Sequence, residues 1–467
     1  MGTRWQSKML GLLIGWSAFS CSLVFEGDEQ EEGEQNQSGG GEDSGSMTTL
    51  PGDFSYKVSN FDALTEVSFL FDLTIRQGEK WTFDTSEGRL QAEKDGSQIA
   101  MADLPALDFK DFPSKISVFQ NSVLAVKSLS IEEGGEMRVV GNKPLIVLSK
   151  GDVHIGPMAR IDLNSYVNAS SGTNINLGAG GFLGGTENSI NGKSCVVDGC
   201  GCEEPKVAEL DLGDSEFAHY QLMKGCREAR ALTAHNAVAA GGSYGGTGGL
   251  SRDTDPDATR FGNDKLIPLL GGGGGAAGGG ANPGGAGGGA IQISSATKIT
   301  IENTGEISAG GGPGLSTRVS EDRGYSGGGG GAGGAILLEA PDVNLLGALL
   351  YVNGGSGASS SCVVENSIGD LVFVPGDKGK TGKATSGGAT VAGFPVGDNR
   401  SLGGAGSSVD NIDGGKTLRS SECNATGGGG GGGGRIRINS EERLPSTQKP
   451  VHGPAGSLTT GEIELIE

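Results

Sequence analysis

Residues 129–163 read LSIEEGGEMRVVGNKPLIVLSKGDVHIGPMARIDL, and this stretch decides the fold. Apolar pairs recur in it every eight positions, and the two members of each pair stand two residues apart. The pairs are Leu129/Ile131, Met137/Val139, Leu145/Val147, Val153/Ile155 and Ile161/Leu163. A period of two is that of a β-strand with one buried face, whereas an amphipathic helix needs apolar residues at i, i+3, i+4 and i+7. The stretch therefore predicts a series of short strands.

Similar series return later in the chain. Strands this short cannot bury an apolar face alone, so they must stack on copies of themselves. Three strands with their turns make a unit of about 24 residues, the size of one coil of a β-helix. We therefore predict an all-β fold, a right-handed parallel β-helix. Its coils are expected at Leu145–Leu163, Ile291–Ala309, Ile336–Val352 and from Ile436 onward.

Long glycine-rich segments follow the predicted coils, at 164–290, 310–335 and 353–435. Glycine accounts for 90 of the 467 residues, and it has the most conformational freedom to lose on folding, so composition alone favours disorder. However, the glycine runs lie shortly before predicted strands, which favours ordered packing. If the coils stack in register, all three segments emerge from one edge, where a rigid scaffold would present them as a binding surface.

The N-terminus predicts export. Two basic residues, Arg4 and Lys8, precede a short apolar stretch that ends at Ser20-Cys21. This arrangement resembles a bacterial lipoprotein signal, so residues 1–21 are expected to be the signal peptide, with Cys21 as the lipidated residue. The usual motif has Leu three residues before the cysteine, which this chain lacks, and ordinary secretion with cleavage near Ser20 is the alternative. The lipoprotein interpretation predicts an outer-membrane or cell-surface location through a lipid anchor.

Three further regions follow the signal. Residues 22–49 are predicted to be a disordered acidic tether, because eight acids and no bases lie between Glu26 and Asp43 and such a composition cannot form a core. Residues 50–120 are expected to form an N-terminal cap that covers the open edge of the stack. Residues 121–467 are expected to form the β-helix with its glycine-rich insertions.

Charge and motifs exclude several classes of protein. The formal net charge is −21, with 35 Lys and Arg against 56 Asp and Glu and no basic cluster, so nucleic acid is not an expected partner. Glycine runs such as Gly271–Gly275 do not end in the Gly-Lys-Ser/Thr of a phosphate-binding loop. No organic cofactor is therefore expected.

Six cysteines remain besides Cys21, and an even number in an exported chain predicts disulfides. They are Cys195, Cys200, Cys202, Cys226, Cys362 and Cys423. Cys362 and Cys423 share one glycine-rich segment and are the preferred pair, and the other four are expected to pair among themselves. A metal site made by those four stays the alternative, although they lack the paired Cys-x-x-Cys spacing of zinc sites.

Three carboxylates at alternate positions suggest a calcium site. Asp253, Asp255 and Asp257 lie together in one glycine-rich segment, and calcium prefers clustered oxygen ligands. An acidic solvated loop is the alternative interpretation of the same residues.

Four segments together resemble a known group of proteins. They are residues 129–163, WTFDTSEG at 81–88, GGAIQISS at 288–295 and GGAILLEA at 333–340. They resemble exported glycine-rich β-helix proteins of predatory and social Gram-negative bacteria such as myxobacteria, over roughly residues 80–440. The resemblance implies the fold and a surface location, and no established biochemical activity. In composition, the glycine-rich segments also resemble those of phage tail-fibre adhesins, where glycine segments pack as a rigid sandwich.

Two functions remain open. The first is a non-enzymatic surface lipoprotein that serves adhesion or envelope structure and contacts polysaccharide or another cell surface through its glycine-rich segments. The alternative is a polysaccharide lyase or hydrolase, since the parallel β-helix often carries such enzymes, although a fold does not determine a function. An enzyme of this kind needs converging carboxylates. The candidate acids are Asp162, Glu302, Glu306 and Asp342, with Arg160 and Lys298 as nearby bases.

Overall fold

The computed structural model consists of β-strands joined by irregular segments, and the residues that it describes contain no α-helix. It describes residues 54–61, 67–69, 71–99, 110–113, 120–167, 175–176, 178–185, 239–250, 260, 262–279, 282–316, 324–365, 371–374, 380, 401–408, 410–418, 425–442, 444 and 450–466. In chain order, the strands are β1 (Asp72–Ile75), β2 (Glu79–Asp84), β3 (Arg89–Lys94), β4 (Ser97–Gln98), β5 (Lys110–Pro113), β6 (Gln120–Val126), β7 (Ser128–Ile131), β8 (Glu136–Val140), β9 (Leu145–Ser149), β10 (Val153–Ile155), β11 (Arg160–Asp162), β12 (Tyr166–Val167), β13 (Ile175–Asn176), β14 (Ala290–Ser295), β15 (Lys298–Ile301), β16 (Glu306–Ser308), β17 (Ala335–Glu339), β18 (Asp342–Asn344), β19 (Leu349–Tyr351), β20 (Cys362–Glu365), β21 (Leu371–Val374), β22 (Arg435–Ser440), β23 (Val451–Gly453) and β24 (Leu458–Glu462).

Most strands belong to three sheets. The five-stranded sheet has the order β1-β7-β10-β15-β18 and is parallel throughout. The eight-stranded sheet has the order β23-β19-β16-β11-β8-β2-β3-β4, and the seven-stranded sheet has the order β24-β22-β17-β14-β9-β6-β5. Both of these are mixed, because β2-β3-β4 and β5-β6 pair antiparallel at one end. Two short antiparallel pairs, β12-β13 and β20-β21, lie outside the three sheets.

The predicted right-handed parallel β-helix is therefore wrong. The strands are arranged as three sheets, two of them mixed, and not as a closed solenoid. An eight-residue spacing shows where strands begin and which face is buried, but it does not show how sheets join. Here the chain leaves the eight-stranded sheet at β11, β16 and β19 and returns to the seven-stranded sheet only after a long glycine-rich segment.

The apolar pairs of the sequence lie opposite one another in these sheets. Ile161 is in register with Met137 on one side and Ile307 on the other, and Ile293 is in register with Val147. These side chains are all fully buried in one core to which all three sheets contribute. Burying one such side chain stabilises the fold by roughly 1.5–3 kcal/mol, so the stacked apolar residues are the main source of stability.

Antiparallel strands extend two sheets at their N-terminal end. β2, β3 and β4 continue the eight-stranded sheet, and β5 ends the seven-stranded sheet. Trp81 and Phe83 of β2 are buried in the shared core beside Met137 and Val139 of β8. Strands β1, β2 and β3 of the predicted cap at 50–120 therefore share the core of the three sheets.

The glycine-rich segments pack backbone against backbone. The amide of Gly285 donates to the carbonyl oxygen of Gly329 at 2.7 Å, and the amide of Gly330 donates to the carbonyl oxygen of Gly429 at 2.8 Å. These glycines belong to different segments of the chain, so the hydrogen bonds join segments that are far apart in sequence. The glycine runs in the described residues are therefore ordered, buried layers and do not form an open loop surface.

Contacts between the glycine segments repeat every third residue. A Cβ atom on Gly328, Gly331 or Gly334 would overlap the carbonyl oxygen of residue 283, 286 or 289 respectively. Three residues per turn is the period of the polyproline II conformation. Alanine occurs within these layers, as at Ala286 and Ala332, but glycine is required where one backbone lies directly against the next.

Residues 54–61 cross the outer face of the seven-stranded sheet. Phe54, Tyr56, Val58 and Phe61 are buried there in a second apolar cluster that includes Leu337 of β17. The hydroxyl of Tyr56 donates to two backbone carbonyl oxygens, those of Ser295 at 3.0 Å and Glu339 at 2.9 Å. Burial raises the pKa of Tyr56 above its ordinary value, and the negative charge of the Glu339 carboxylate raises it further.

A buried carboxylate holds residues 54–61 in place. Glu339 is only 2% exposed. It accepts hydrogen bonds from Ser59 Oγ at 2.6 Å, Ser59 N at 3.1 Å, Asn439 Nδ2 at 2.9 Å, Gln292 Nε2 at 3.0 Å and Ser294 Oγ at 3.1 Å. A buried charge is tolerated only when such donors replace the lost water, so this network joins residue 59 to three strands of the sheet.

The glycine layers give a testable prediction. In Gly287→Ala the new Cβ would overlap the backbone carbonyl of Gly272, whereas in Gly312→Ala the nearest atoms are 3.2 Å away. We expect Gly287→Ala to reduce the free energy of unfolding by more than about 3 kcal/mol, and Gly312→Ala by less than about 1 kcal/mol. Urea denaturation of both variants measures this difference, and equal losses would contradict the close backbone packing.

Removing the buried carboxylate gives a second prediction. Glu339→Ala leaves several buried donors without an acceptor, and each unsatisfied group costs about 1–3 kcal/mol. We expect the free energy of unfolding to fall by at least about 3 kcal/mol. Glu302→Ala is the control, because the Glu302 side chain is 44% exposed and an exposed pair contributes at most about 1 kcal/mol. Similar urea midpoints for the two variants would argue against the network.

Candidate binding site on the eight-stranded sheet

The outer face of the eight-stranded sheet carries a row of alternating charges. The parallel register places Lys80, Glu136, Arg160 and Glu306 side by side on four neighbouring strands. Lys80 Nζ lies 3.3 Å from Glu136 Oε1, and Arg160 Nε lies 3.5 Å from Glu306 Oε1. Opposite charges on adjacent strands stabilise a sheet by roughly 0.2–1 kcal/mol per pair. Each acid of this row is therefore paired with a base on a neighbouring strand, Glu136 with Lys80 and Glu306 with Arg160.

A second row on the same strands meets a tyrosine. Arg138 and Asp162 are in register on β8 and β11. The hydroxyl of Tyr166 donates to the carboxylate of Asp162, and the guanidinium carbon of Arg138 lies 4.7 Å from the centre of the Tyr166 ring. Arg160 NH2 lies 3.6 Å from Asp162 Oδ2. Arg138, Arg160, Asp162 and Tyr166 are called the arginine–tyrosine cluster below.

Local chain geometry fixes the acid of this cluster. Asp162 ends β11, and its Oδ1 accepts the backbone amide of Asn164 at 2.9 Å. The side-chain oxygen of Asn164 in turn accepts a hydrogen bond from the hydroxyl of Ser308 at 2.9 Å. Asp162 is therefore both buried, at 3% exposure, and hydrogen-bonded through both of its oxygens.

Burial and charge shift the titration of two members. Burial, with the negative charge of Asp162 as the second cause, raises the pKa of Tyr166 to about 12. Burial acts to lower the pKa of Arg160, but the carboxylates of Asp162 and Glu306 outweigh it and raise the pKa above its ordinary value. At neutral pH the tyrosine is thus neutral and the guanidinium is charged.

The two arginines differ in their partners. Arg160 is shared by Asp162 and Glu306. Arg138 is stacked on Tyr166 and forms no ion pair with any residue that the structure describes. Its Nε atom is buried without a hydrogen-bond partner. Arg160 Nε also lacks a hydrogen-bond partner, so what distinguishes Arg138 is the absence of an ion pair with any described residue.

The four acids proposed for an enzyme each have a basic partner. The distances are 2.7 Å for His154–Glu302, 2.8 Å for Lys298–Asp342, 3.6 Å for Arg160–Asp162 and 3.5 Å for Arg160–Glu306. The structure brings Asp162 and Glu306 together on Arg160. It places Asp342 on the five-stranded sheet and Glu302 in the turn after β15, so the four acids do not converge.

Most other predicted site residues lie outside the described residues. These are Cys21, Cys195, Cys200, Cys202, Cys226, Cys423, Asp253, Asp255 and Asp257. The described part of the chain contains no group of three or more His, Cys, Asp or Glu side chains that could hold a metal ion. The calcium site and the lipidation of Cys21 therefore stay predictions.

Cys362 is the one candidate cysteine that the structure describes. It is disulfide-bonded, and its partner lies outside the described residues. Cys362 is buried against Ala425, which stands two positions after Cys423 in the sequence. This contact is compatible with the preferred pairing with Cys423, which stays a prediction.

The pKa of Tyr166 predicts a pH effect on stability. The pKa is raised from an unfolded value of about 10 to about 12 in the folded state, so folding favours the protonated phenol. This contribution is complete below pH ~10 and is lost as the pH rises towards 12. We expect the free energy of unfolding to fall more steeply between pH 10 and 11.5 in the wild type than in Tyr166→Phe. Urea denaturation across this range measures it, and parallel curves would contradict the buried position of the hydroxyl.

Comparison with known proteins gives no match, whether against protein-family models, curated protein sequences or solved structures. Within the described residues no helix is long and apolar enough to cross a membrane.

Proposed function

We propose that this protein is a non-enzymatic cell-surface lipoprotein, anchored to the outer membrane through Cys21, that binds polysaccharide or another component of a cell envelope. The observation that carries the proposal is the arginine–tyrosine cluster on the outer face of the eight-stranded sheet. The location is supported by the lipoprotein-like signal at residues 1–21 and the acidic tether that follows it.

The cluster has the chemistry of a binding surface. It combines an aromatic ring, two guanidinium groups and one carboxylate within one part of a sheet face, and binding sites typically use a few convergent polar groups to orient a ligand. Strands β8 and β11 are hydrogen-bonded to neighbours on both sides, which holds these side chains before any ligand arrives. Such preorganisation lowers the entropic cost of binding.

The ion pairs favour binding over hydrolysis. A glycosidase needs one carboxyl group free to give a proton and a second free to act on the sugar or on water. Asp162 already accepts from Tyr166 and Asn164 and pairs with Arg160. Asp342 on the five-stranded sheet and Glu302 in the turn after β15 are each paired with a base. These contacts occupy the groups that catalysis would require.

Retention on surfaces tests the proposal. We expect residues 22–467, purified without lipid, to be retained on bacterial envelopes or on immobilised surface polysaccharides, because a preorganised polar surface binds with little reorganisation. Pull-downs with and without calcium measure this. Calcium dependence would support the predicted site at Asp253, Asp255 and Asp257.

Two outcomes would contradict the proposal. Absence of retention on every surface would argue against a binding role. Release of oligosaccharides from the retained polymer would favour the alternative, a polysaccharide lyase or hydrolase. Serum albumin, as another acidic protein, serves as the control for non-specific retention.

A further inference from the structure

Arg138 stands apart from the other charged residues of the sheet face. Lys80, Glu136, Arg160 and Glu306 pair with one another, whereas the guanidinium carbon of Arg138 lies over the Tyr166 ring, 4.7 Å from its centre. Its Nε atom is buried and makes no hydrogen bond. The terminal nitrogens of Arg138 make no hydrogen bond to the described residues, and they are not among the fully buried atoms that lack a partner, so they keep contact with solvent.

The tyrosine fixes the plane of this guanidinium. A guanidinium holds its five N–H donors in one rigid plane by delocalised bonding, and contact with an aromatic ring restricts how that plane can turn. The Tyr166 ring is itself held at its far end, because its hydroxyl donates to Asp162. Arg138 therefore offers a planar donor edge that loses little side-chain freedom when a ligand binds.

We propose that Arg138 binds the carboxylate of an acidic polysaccharide, an inference that rests on the proposed binding function. A carboxylate accepts two parallel N–H bonds from a guanidinium, which is a stronger and more directional interaction than a neutral hydroxyl can make. The ring of Tyr166 beside this edge provides apolar surface for the sugar. The ligand class is thus a polymer with repeated carboxylate groups.

Charge sets the expected strength of this interaction. Lys80, Arg138 and Arg160 balance Glu136, Asp162 and Glu306, and of the three acids Asp162 is nearly inaccessible at 3% exposure. The net charge of −21 acts weakly at this point, since charges beyond about 8 Å are screened at physiological salt. Each contact is therefore modest, and repeated carboxylates on a polymer that meets many anchored copies supply avidity.

Binding to three defined polymers tests the inference. Residues 22–467, which lack the lipidated cysteine and are therefore soluble, are titrated onto immobilised polygalacturonate, dextran and dextran sulfate. We expect tighter binding to polygalacturonate than to dextran, and weaker binding as salt is raised. Dextran sulfate separates carboxylate recognition from general attraction to polyanions, and equal or tighter binding to it would overturn the carboxylate assignment.

Matched variants locate the site. Arg138→Gln is expected to weaken binding to polygalacturonate by at least about tenfold, the factor for one charged hydrogen bond. Lys80→Gln removes the same charge from the same sheet face and is expected to change it less than about threefold, since its ammonium is already paired. Arg138→Lys keeps the charge and loses the planar donor edge, so its affinity for polygalacturonate is expected to lie between those of the wild type and Arg138→Gln. This variant also tests the site if Arg138→Gln does not fold.

The outcomes separate this inference from the proposed function. If Arg138→Gln and Arg138→Lys bind polygalacturonate as the wild type does, or if Lys80→Gln weakens binding equally, the Arg138 site is wrong while a binding function stands. The same follows if the wild type binds envelopes or dextran but not polygalacturonate. If the wild type binds no polymer and no envelope, the proposed function itself fails.

Discussion

The in-register parallel pairing of β8, β11 and β16 is the constraint on which both the core and the candidate site depend. On the inner face it stacks Met137, Ile161 and Ile307, and on the outer face it aligns the charged residues that precede each of them. Side chains alternate along a strand, so a slip by one residue would bury the charges and expose the core. The cost of burying unpaired charges keeps the register unique. This register places Arg138 and Asp162 opposite each other on the adjacent strands β8 and β11.

The glycine layers explain how this register survives long interruptions. More than a hundred residues separate β11 from β14, yet β14 pairs with β9 in the register of the earlier repeat. A structureless connection of that length is uncommon inside a compact domain. Here the described glycine segments hydrogen-bond to one another through their backbones, so the connections add ordered structure. Glycine has the highest entropic cost of ordering, and the hydrogen bonds made at close backbone approach offset it.

Sequence periodicity predicted the strands and their buried faces, but it did not predict how the strands assemble into sheets. Arg138 and Asp162 stand 24 positions apart (138 to 162), and each lies between apolar residues at an outward position, so their proximity was within reach of the pattern. The position of Tyr166 could not be predicted in this way, because Tyr166 follows the last apolar pair and lies in β12, which pairs only with the short strand β13. Glu339 alternates like an outward residue, yet Ser59 covers it from 280 positions away, and a contact of that range leaves no periodic trace. The closed solenoid failed for the same reason: spacing within a repeat carries no information on how the sheets join.

Residues 54–61 link the N-terminal part of the chain to the rest of the molecule in a way that suits a tethered protein. Tyr56 forms an antiparallel bridge with Leu465, and the amide of Lys57 donates to the carbonyl oxygen of residue 464 at 2.8 Å. Ser59 meets the buried carboxylate of Glu339. If the chain is anchored through Cys21 as proposed, a pull on the tether enters the described structure at residue 54 and is opposed at once by hydrogen bonds to β17 and to the C-terminal residues. Detaching residues 54–61 from the sheet would therefore require breaking contacts both to β17 and to the C-terminal residues.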